Sequence, residues 1–472
     1  IDSLDLYGIG VDDMTGIEGF TSLKYLDASS SSFEELNLFY NTDLEYLKCQ
    51  TNGNLTNLDV SNNSQLSTLI VMSIDDLDVS NNPQLTRLII NYSPLDDLDL
   101  SNNPNLDTLV VKNTDITELN LSTNTQIEYL DLQWNYLQEL DLSNQINLLY
   151  LNVDANPGLN DLDVTNCNQL TNLLCSYNNI SEINLSNKLQ LTELRLASNN
   201  FEAIDLSNNL QLTLLDLRGN YLQELDFSNN IQLSTVFLYN NQIQEINLSN
   251  NLNLTELSCS ENNLQVLDVS NNTQLTDLKC YGNNLTELDV SNNPQLNLFW
   301  VYDNNLECIK VWDLDYALDS ESIPYPGNQY LWAKDESAEW ALDCNYEFGC
   351  TDSSACNYEE NNIEDDGSCE YASCLDDCGV INGDNSTCID DCGVINGDNS
   401  TCLDCSGVIF GNSIEDDCGI CDNDPSNDCI LGCMDQLADN FNSDANEDDG
   451  NCIYFGCTDI NAINYDSLAN ED

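Results

Sequence analysis

The sequence contains no histidine, only 10 Lys plus Arg against 82 Asp plus Glu, and 3 methionines in 472 residues. Without histidine, imidazole-based triads and imidazole-ligated metal centres are excluded. Carboxylates are too abundant for any one pair to mark an acid/base site, so no enzymatic activity is expected of this chain. A formal net charge of −72 argues against a nucleic-acid partner, because phosphates are bound by Lys and Arg. It also disfavours docking on anionic lipid. No apolar run approaches the ~18 residues that span a bilayer, so no membrane insertion is expected. The chain starts at Ile1 without Met or a signal peptide. It ends at Asp472, at a point that in an earlier unit just precedes Asp-Gly-x-Cys. Both ends are therefore read as cuts, with any secretion signal or anchor expected outside this sequence.

What is present is a repeat. From about position 23 to 312 the chain recurs every 21 residues, as in LTELRLASNNFEAIDLSNNLQ (191–211) followed by LTLLDLRGNYLQELDFSNNIQ (212–232). Such a period marks a stacked array, because one unit cannot bury its apolar side alone. Turns begin at Leu23, Leu44, Leu66, Leu85, Leu106, Ile127, Leu148, Leu170, Leu191, Leu212, Leu233, Leu254, Leu275 and Leu296, which makes fourteen coils. Residues 1–22 read as an incomplete first turn. Each coil holds two L-x-L segments with period two, such as Leu194-Arg195-Leu196 and Ile204-Asp205-Leu206, and both are expected to be short strands. The predicted fold is mostly β, a solenoid rising roughly 4.8 Å per coil and ~65 Å long.

The pattern L-x-x-L-x-L/C-x-x-N-x-L-x-x-L-D-L/V-S-N-N resembles the leucine-rich repeat, and is most similar to a 21-residue bacterial subclass found in surface proteins of the Bacteroidota. The resemblance covers well over half of the chain. It implies a solenoid whose concave sheet, built by the first strands, binds something.

The period also sorts residues by face. Asn178, Asn199, Asn220, Asn241, Asn262, Asn283 and Asn304 share a station where a buried amide can pair main-chain groups, with Ser93 and Thr114 replacing it in early coils. Cys49, Cys175, Cys259 and Cys280 fall at a core station, where thiols act as small hydrophobes. Asp59, Asp78, Asp99, Asp141, Asp163, Asp205, Asp226, Asp268 and Asp289 form a second ladder, alternating with Asn120, Asn184 and Asn247. Hydrogen bonding to neighbouring Ser and Asn is the favoured reading of these carboxylates, since a cation site would tolerate Asn less well.

Seven of the ten basic residues fall at solvent-facing stations of the first strand: Lys24, Lys48, Arg87, Lys112, Arg195, Arg218 and Lys279. Tyr25, Tyr46, Tyr92, Tyr129, Trp134, Tyr150, Tyr177, Phe237, Tyr239, Tyr281, Trp300 and Tyr302 join them. Strand propensity accounts for the aromatics but not for the cations. A concave recognition surface for a protein or glycan is therefore expected. Its preferred patch is Arg195, Arg218, Phe237, Tyr239, Lys279, Tyr281, Trp300 and Tyr302. A purely structural stalk, or an accessory region of an enzyme, are the alternatives.

Only six of the 22 cysteines precede position 310, and the rest lie between Cys344 and Cys457. This density marks disulfide-stapled modules of an oxidising compartment, hence an extracellular or cell-surface protein. Residues 313–344 resemble the segment that closes bacterial arrays of this type. The resemblance implies a Cys308–Cys344 disulfide, with Trp332 and Trp340 covering the last coil. From Cys350 onward there is no Lys or Arg. In this tail, 345–472, GCTDSSACNYEENNIEDDGSC (349–369) recurs as GCMDQLADNFNSDANEDDGNC (432–452). These units are similar to Cys-bracketed repeats of marine Bacteroidota surface proteins, and their equal spacing points to Cys350–Cys369 and Cys433–Cys452. Cys457 would then have lost its partner to the cut. DDCGVINGDNSTC, found twice between them, is similar to thrombospondin-type-3-like repeats. Calcium is the natural cation for such acidic loops, with Asp365, Asp366, Asp422, Asp424, Asp428, Asp448 and Asp449 as candidate ligands. Zinc is disfavoured by the absence of His and by the oxidising context.

Overall fold

A computed structural model of the chain divides into two units, Ile1–Cys344 and Asn345–Asp472. It describes all residues except 53–54, 326–328, 345–346, 354, 356, 359–361, 366, 371–402, 404, 409–412, 416–420, 423–429, 462 and 472.

The first unit is a β-solenoid. Its concave sheet has 16 parallel strands in sequence order, one from each coil, plus Ser3–Asp5 at the start and Trp332–Ala333 at the end. Neighbouring strands pair at the repeat spacing, Glu193 with Leu214 and Leu214 with Thr235. In the three-residue strands of the coils the middle residue is Leu, Val or Phe and is wholly buried, as in Leu194, Leu215, Val236 and Phe299. Residues on either side of it face outward, which places the alternation read from the sequence.

Two rows of buried amides tie the coils together. In the first row, Asn220 Nδ2 donates to Leu196 O of the preceding coil and to Leu217 O of its own, both at 3.0 Å, while its Oδ1 accepts from Phe201 N at 3.1 Å. The second row was not picked out in sequence, although the last Asn of every S-N-N signals it. Asn63, Asn82, Asn103, Asn124, Asn209, Asn230, Asn251, Asn272 and Asn293 are buried. Asn230 Nδ2 donates to Leu206 O at 3.1 Å and Asn209 O at 2.8 Å, both in the coil before it. Buried backbone carbonyls must find donors, and this row supplies them where the chain turns. Gln145, Cys167 and Lys188 interrupt it.

The second segment of each coil departs from expectation. Among the described residues it forms strand only near the end of the array, where Leu288–Asp289, Cys308–Lys310 and Glu339–Ala341 make a three-stranded sheet. Earlier coils touch there through isolated main-chain bonds such as Gln138 N to Thr117 O at 3.1 Å. The ladder Asp has a different role in this segment. Asp205 Oδ1 accepts from Ser207 N at 2.9 Å, and the same turn recurs from Asp59 to Asp289, with Asn120, Asn184 and Asn247 making it too. These are Asx turns, which start the bend that leads the chain out of the segment.

The cap contains the one α-helix among the described residues, Leu314–Ser322, started by Asp313, whose Oδ1 accepts from Tyr316 N at 3.0 Å. Trp332 is wholly buried against Phe299, ring centroids 5.2 Å apart and edge-on, and lies 5.3 Å from Trp340. Cys308 and Cys344 are joined. The open edge of the last coil is thereby covered.

In the tail unit, disulfides join Cys350 to Cys369, Cys433 to Cys452, and Cys405 to Cys421, a pairing the sequence left open. The two 21-residue units share their bonds. Asn357 Nδ2 donates to Ser368 O and Asn440 Nδ2 to Asn451 O, both at 2.8 Å.

Candidate recognition face

The concave sheet presents three outward rows. The first runs Tyr25, Tyr46, Thr68, Arg87, Thr108, Tyr129, Tyr150 along paired strands. Tyr25 stacks on Tyr46 at 4.4 Å and Tyr129 on Tyr150 at 4.2 Å, with nearly parallel ring planes in both cases. The middle row begins Asp27, Lys48, Ile70, Ile89, Val110, Asp131.

Most of the cations on this face are already paired. Lys48 lies 3.1 Å from Asp27, Lys112 2.5 Å from Asp131, Arg195 2.6 Å from Glu193 and Lys279 3.7 Å from Glu256. Arg218 forks onto Asp216 with bonds of 2.9 and 2.7 Å. Arg87 makes no ion pair among the described residues and is exposed. Scarce positive charge thus neutralises carboxylates that the sheet half-buries. Burial wins at two carboxyls: it pushes Asp154 up to about 6 and raises Asp131 despite Lys112.

The residues preferred from sequence do come together. Arg218 sits over the Phe237 ring at 5.3 Å and Lys279 over Trp300 at 5.4 Å. Tyr281 stacks on Tyr302 at 4.7 Å and lies 6.2 Å from Tyr239. Trp300 Nε1 donates to Tyr330 O of the cap at 2.9 Å, so part of its polar edge is engaged. Arg195 stands on the same face, its guanidinium held by Glu193 within its own strand.

The sequence reading missed an apolar centre in the earlier coils. Strands Thr68–Met72, Arg87–Asn91 and Thr108–Lys112 are five residues long, and Ile70, Ile89 and Val110 stand side by side at outward positions. Unbroken apolar strings (LIV, LII, LVV) in place of strict alternation were the available signal. A depression of about 520 Å³ lined by Ile70, Arg87, Ile89, Val110, Lys112 and Tyr129 lies there. A second, of about 630 Å³, reaches from Tyr7 and Lys48 to Tyr92, Lys112 and Trp134.

The core thiols are inert. Burial pushes Cys49 and Cys259 up to about 12, far from a thiolate at neutral pH. In the tail, Asp366, Asp424 and Asp428 lie outside the described residues, and the side chains of Asp365 and Asp422 are not described either. Asp448 Oδ1 accepts from Gly450 N and Asp449 Oδ1 from Asn451 N, as turn carboxylates do. Among the described residues no cluster of three or more candidate metal ligands occurs.

No protein-family model matches the chain, and no curated protein matches it in sequence. Among solved structures, the functional domain of InlJ from Listeria monocytogenes, which includes a cysteine ladder, is 31% identical with a TM-score of 0.55; the match covers 67% of this chain and 70% of that one. The chain belongs to the leucine-rich repeat family. A leucine-rich repeat protein of Leptospira interrogans, LIC12759, is 19% identical with a TM-score of 0.61, over 72% of this chain and 91% of that one, and shares the fold. Within this leucine-rich repeat array, Cys259 and Cys280 occupy adjacent coils at one core station.

Proposed function

We propose that this leucine-rich repeat protein is an extracellular recognition protein that binds a partner protein on the concave face of its early coils. The observation that carries the proposal is the apolar centre Ile70, Ile89 and Val110, ringed by Arg87, Lys112 and the stacked tyrosines. An apolar core with a polar rim is the anatomy of a protein interface. The paired cations fit the rim, because their charge is largely spent and leaves shape and apolar area to decide affinity. The later aromatic patch at Phe237, Tyr281 and Trp300 extends the same surface. Disulfides support an oxidising, extracellular setting, and among the described residues no helix is long and apolar enough to cross a membrane.

The test is surface-immobilised protein probed against an array of extracellular proteins and whole cells. Ile89→Asp is expected to weaken the strongest interaction at least tenfold, by placing a charge in the desolvated centre. Unchanged binding by Ile89→Asp would sink the reading.

The tail is proposed to be a spacer of Bacteroidota type, with thrombospondin-type-3-like loops that bind calcium. Its acidity and lack of Lys and Arg support that reading. A melting transition that does not move between calcium and chelator would remove it.

A further inference from the structure

One station in each coil, just after the concave strand, adopts a left-handed backbone. It holds Ser30, Thr51, Ser73, Tyr92, Asn113, Trp134, Ala155, Tyr177, Ser198, Gly219, Asn240, Glu261, Gly282 and Asp303. Gly219 and Gly282 show what the conformation prefers. Bulky side chains at positive φ are rare and disfavoured by sterics. Even so, Tyr92, Trp134 and Tyr177 take it, at φ 48°, 60° and 57°. All three are 59% exposed, so no core packing compensates them. The left-handed station belongs to the repeat itself; what sets these three apart is a large exposed aromatic where Gly, Ser or Asn would serve the turn at less cost.

The spacing of the three is regular. Tyr92 to Trp134 is two coils and Trp134 to Tyr177 is two coils, with Asn113 and Ala155 between. Strands lie about 4.8 Å apart, so the aromatics recur at roughly 9.6 Å. A β-1,4-linked pyranose chain is an extended ribbon whose units flip in alternation, so it offers the same face at every second sugar, on a closely similar length. Around Ala155, a depression of about 760 Å³ is lined by Trp134, Tyr136, Pro157 and Tyr177 together with Asn113 and Asp115. Aromatic faces for the C–H side of a sugar ring, and an amide and a carboxylate for its hydroxyls, are the two chemistries a saccharide needs. Charge narrows the class. The depression around Ala155 is lined by no cation, the lysines near Tyr92 and Trp134 (Lys48 and Lys112) are paired with Asp27 and Asp131, and the chain carries −72, so a uronate or sulfated glycan would be repelled.

We infer that Tyr92, Trp134 and Tyr177 form a binding track for a linear, uncharged β-1,4-linked polysaccharide, seated along the strand ends with its disaccharide period matched to two coils. This track runs beside the apolar centre at Ile89, their depressions sharing Asn91 and Lys112, but Ile89 does not line the track, so the two readings are tested by different variants.

The experiment is calorimetric titration of the full chain with cellohexaose and chitohexaose at up to millimolar concentration, with maltohexaose as the α-linked control. At least one β-1,4 hexamer is expected to bind, quenching Trp134 fluorescence, while maltohexaose does not. The hexamer should bind more tightly than the disaccharide, which can span only part of the track. Trp134→Ala should weaken binding about tenfold and Tyr177→Ala severalfold. Ile89→Asp should leave saccharide binding unchanged, which separates this site from the concave one. The melting temperature of Trp134→Ala establishes that the variant is folded, as expected of an exposed side chain. No binding of either β-1,4 hexamer, equal binding by folded Trp134→Ala, or preference for maltohexaose would overturn the inference.

Discussion

Lys112 Nζ lies 2.5 Å from Asp131 Oδ2 on the next strand, and the Asp131 side chain is only 1% exposed. A carboxylate so placed depends on its partner, because desolvation favours the neutral acid and the Lys112 ammonium is the largest of the interactions that oppose it, ahead of hydrogen bonds from Gln133 and Asn152. Lys112→Met should therefore destabilise the solenoid by about 2–4 kcal/mol at neutral pH. Lys112→Met with Asp131→Asn should recover most of that loss. Urea unfolding of the two single variants and the double variant checks it.

Asp154 gives a second, pH-dependent prediction. Its folded pKa of about 6 exceeds the usual 3.8, because burial outweighs the bond from Ser176. The folded state then binds more protons than the unfolded state between those values, so stability rises as pH falls from about 7 to 4. The Asx-turn carboxylates work the other way. Bonds from Ser80 and Ser207 hold Asp78 and Asp205 below their ordinary value, so their contribution is present above pH ~4 and lost at lower pH. Stability should peak near the lower end of this window. Asp154→Asn should flatten the rise and add up to about 3 kcal/mol at pH 7, measured by chemical denaturation across pH.

Cys167 and Lys188 occupy the second amide row without being amides. Cys167 Sγ reaches Leu142 O only at 3.9 Å, and the buried Lys188 Nζ makes long bonds of 3.3 and 3.4 Å to Thr165 O and Asn168 Oδ1. Burial also lowers the Lys188 pKa. Cys167→Asn and Lys188→Asn should each stabilise by about 1–2 kcal/mol, by giving Leu142 O and Gln145 O, or Val164 O and Cys167 O, the side-chain amide donor that the row adds elsewhere to the main-chain one. Asn230→Ala should destabilise by at least as much. Thermal melts order the three variants, and a destabilised Cys167→Asn would refute the row's assigned role.

Replacing both Cys308 and Cys344 with Ser opens a loop of sequence separation 36. The chain-entropy account expects a loss of about 3–4 kcal/mol. Limited proteolysis should then cut first within 313–344.

The coil count, the buried Leu ladder and the first amide row were legible because each is a periodic property, and side-chain direction follows period directly. The missing second strands were not legible. Ile204-Asp205-Leu206 alternates like any strand, and only the folded chain shows that no strand ladder forms there. The concave face was partly legible. Sequence placed the cations there but could not say that Arg218 is held by Asp216 or Lys48 by Asp27, since those pairs depend on rotamers. Ile70, Ile89 and Val110 were overlooked because an apolar residue in a leucine-rich strand is read as core until its register is known.

The side-chain amides of both rows reach toward the preceding coil. Asn272 donates to Leu248 O and Asn251 O, and Asn293 repeats this one coil later. The array therefore has a direction of assembly. A coil made later finds its acceptors already in place, whereas a coil stripped of its predecessor is left with second-row amides that have nothing to hold. Deleting coils from the C-terminal side shortens the template, while deleting them from the N-terminal side removes the surface on which the next coil is written.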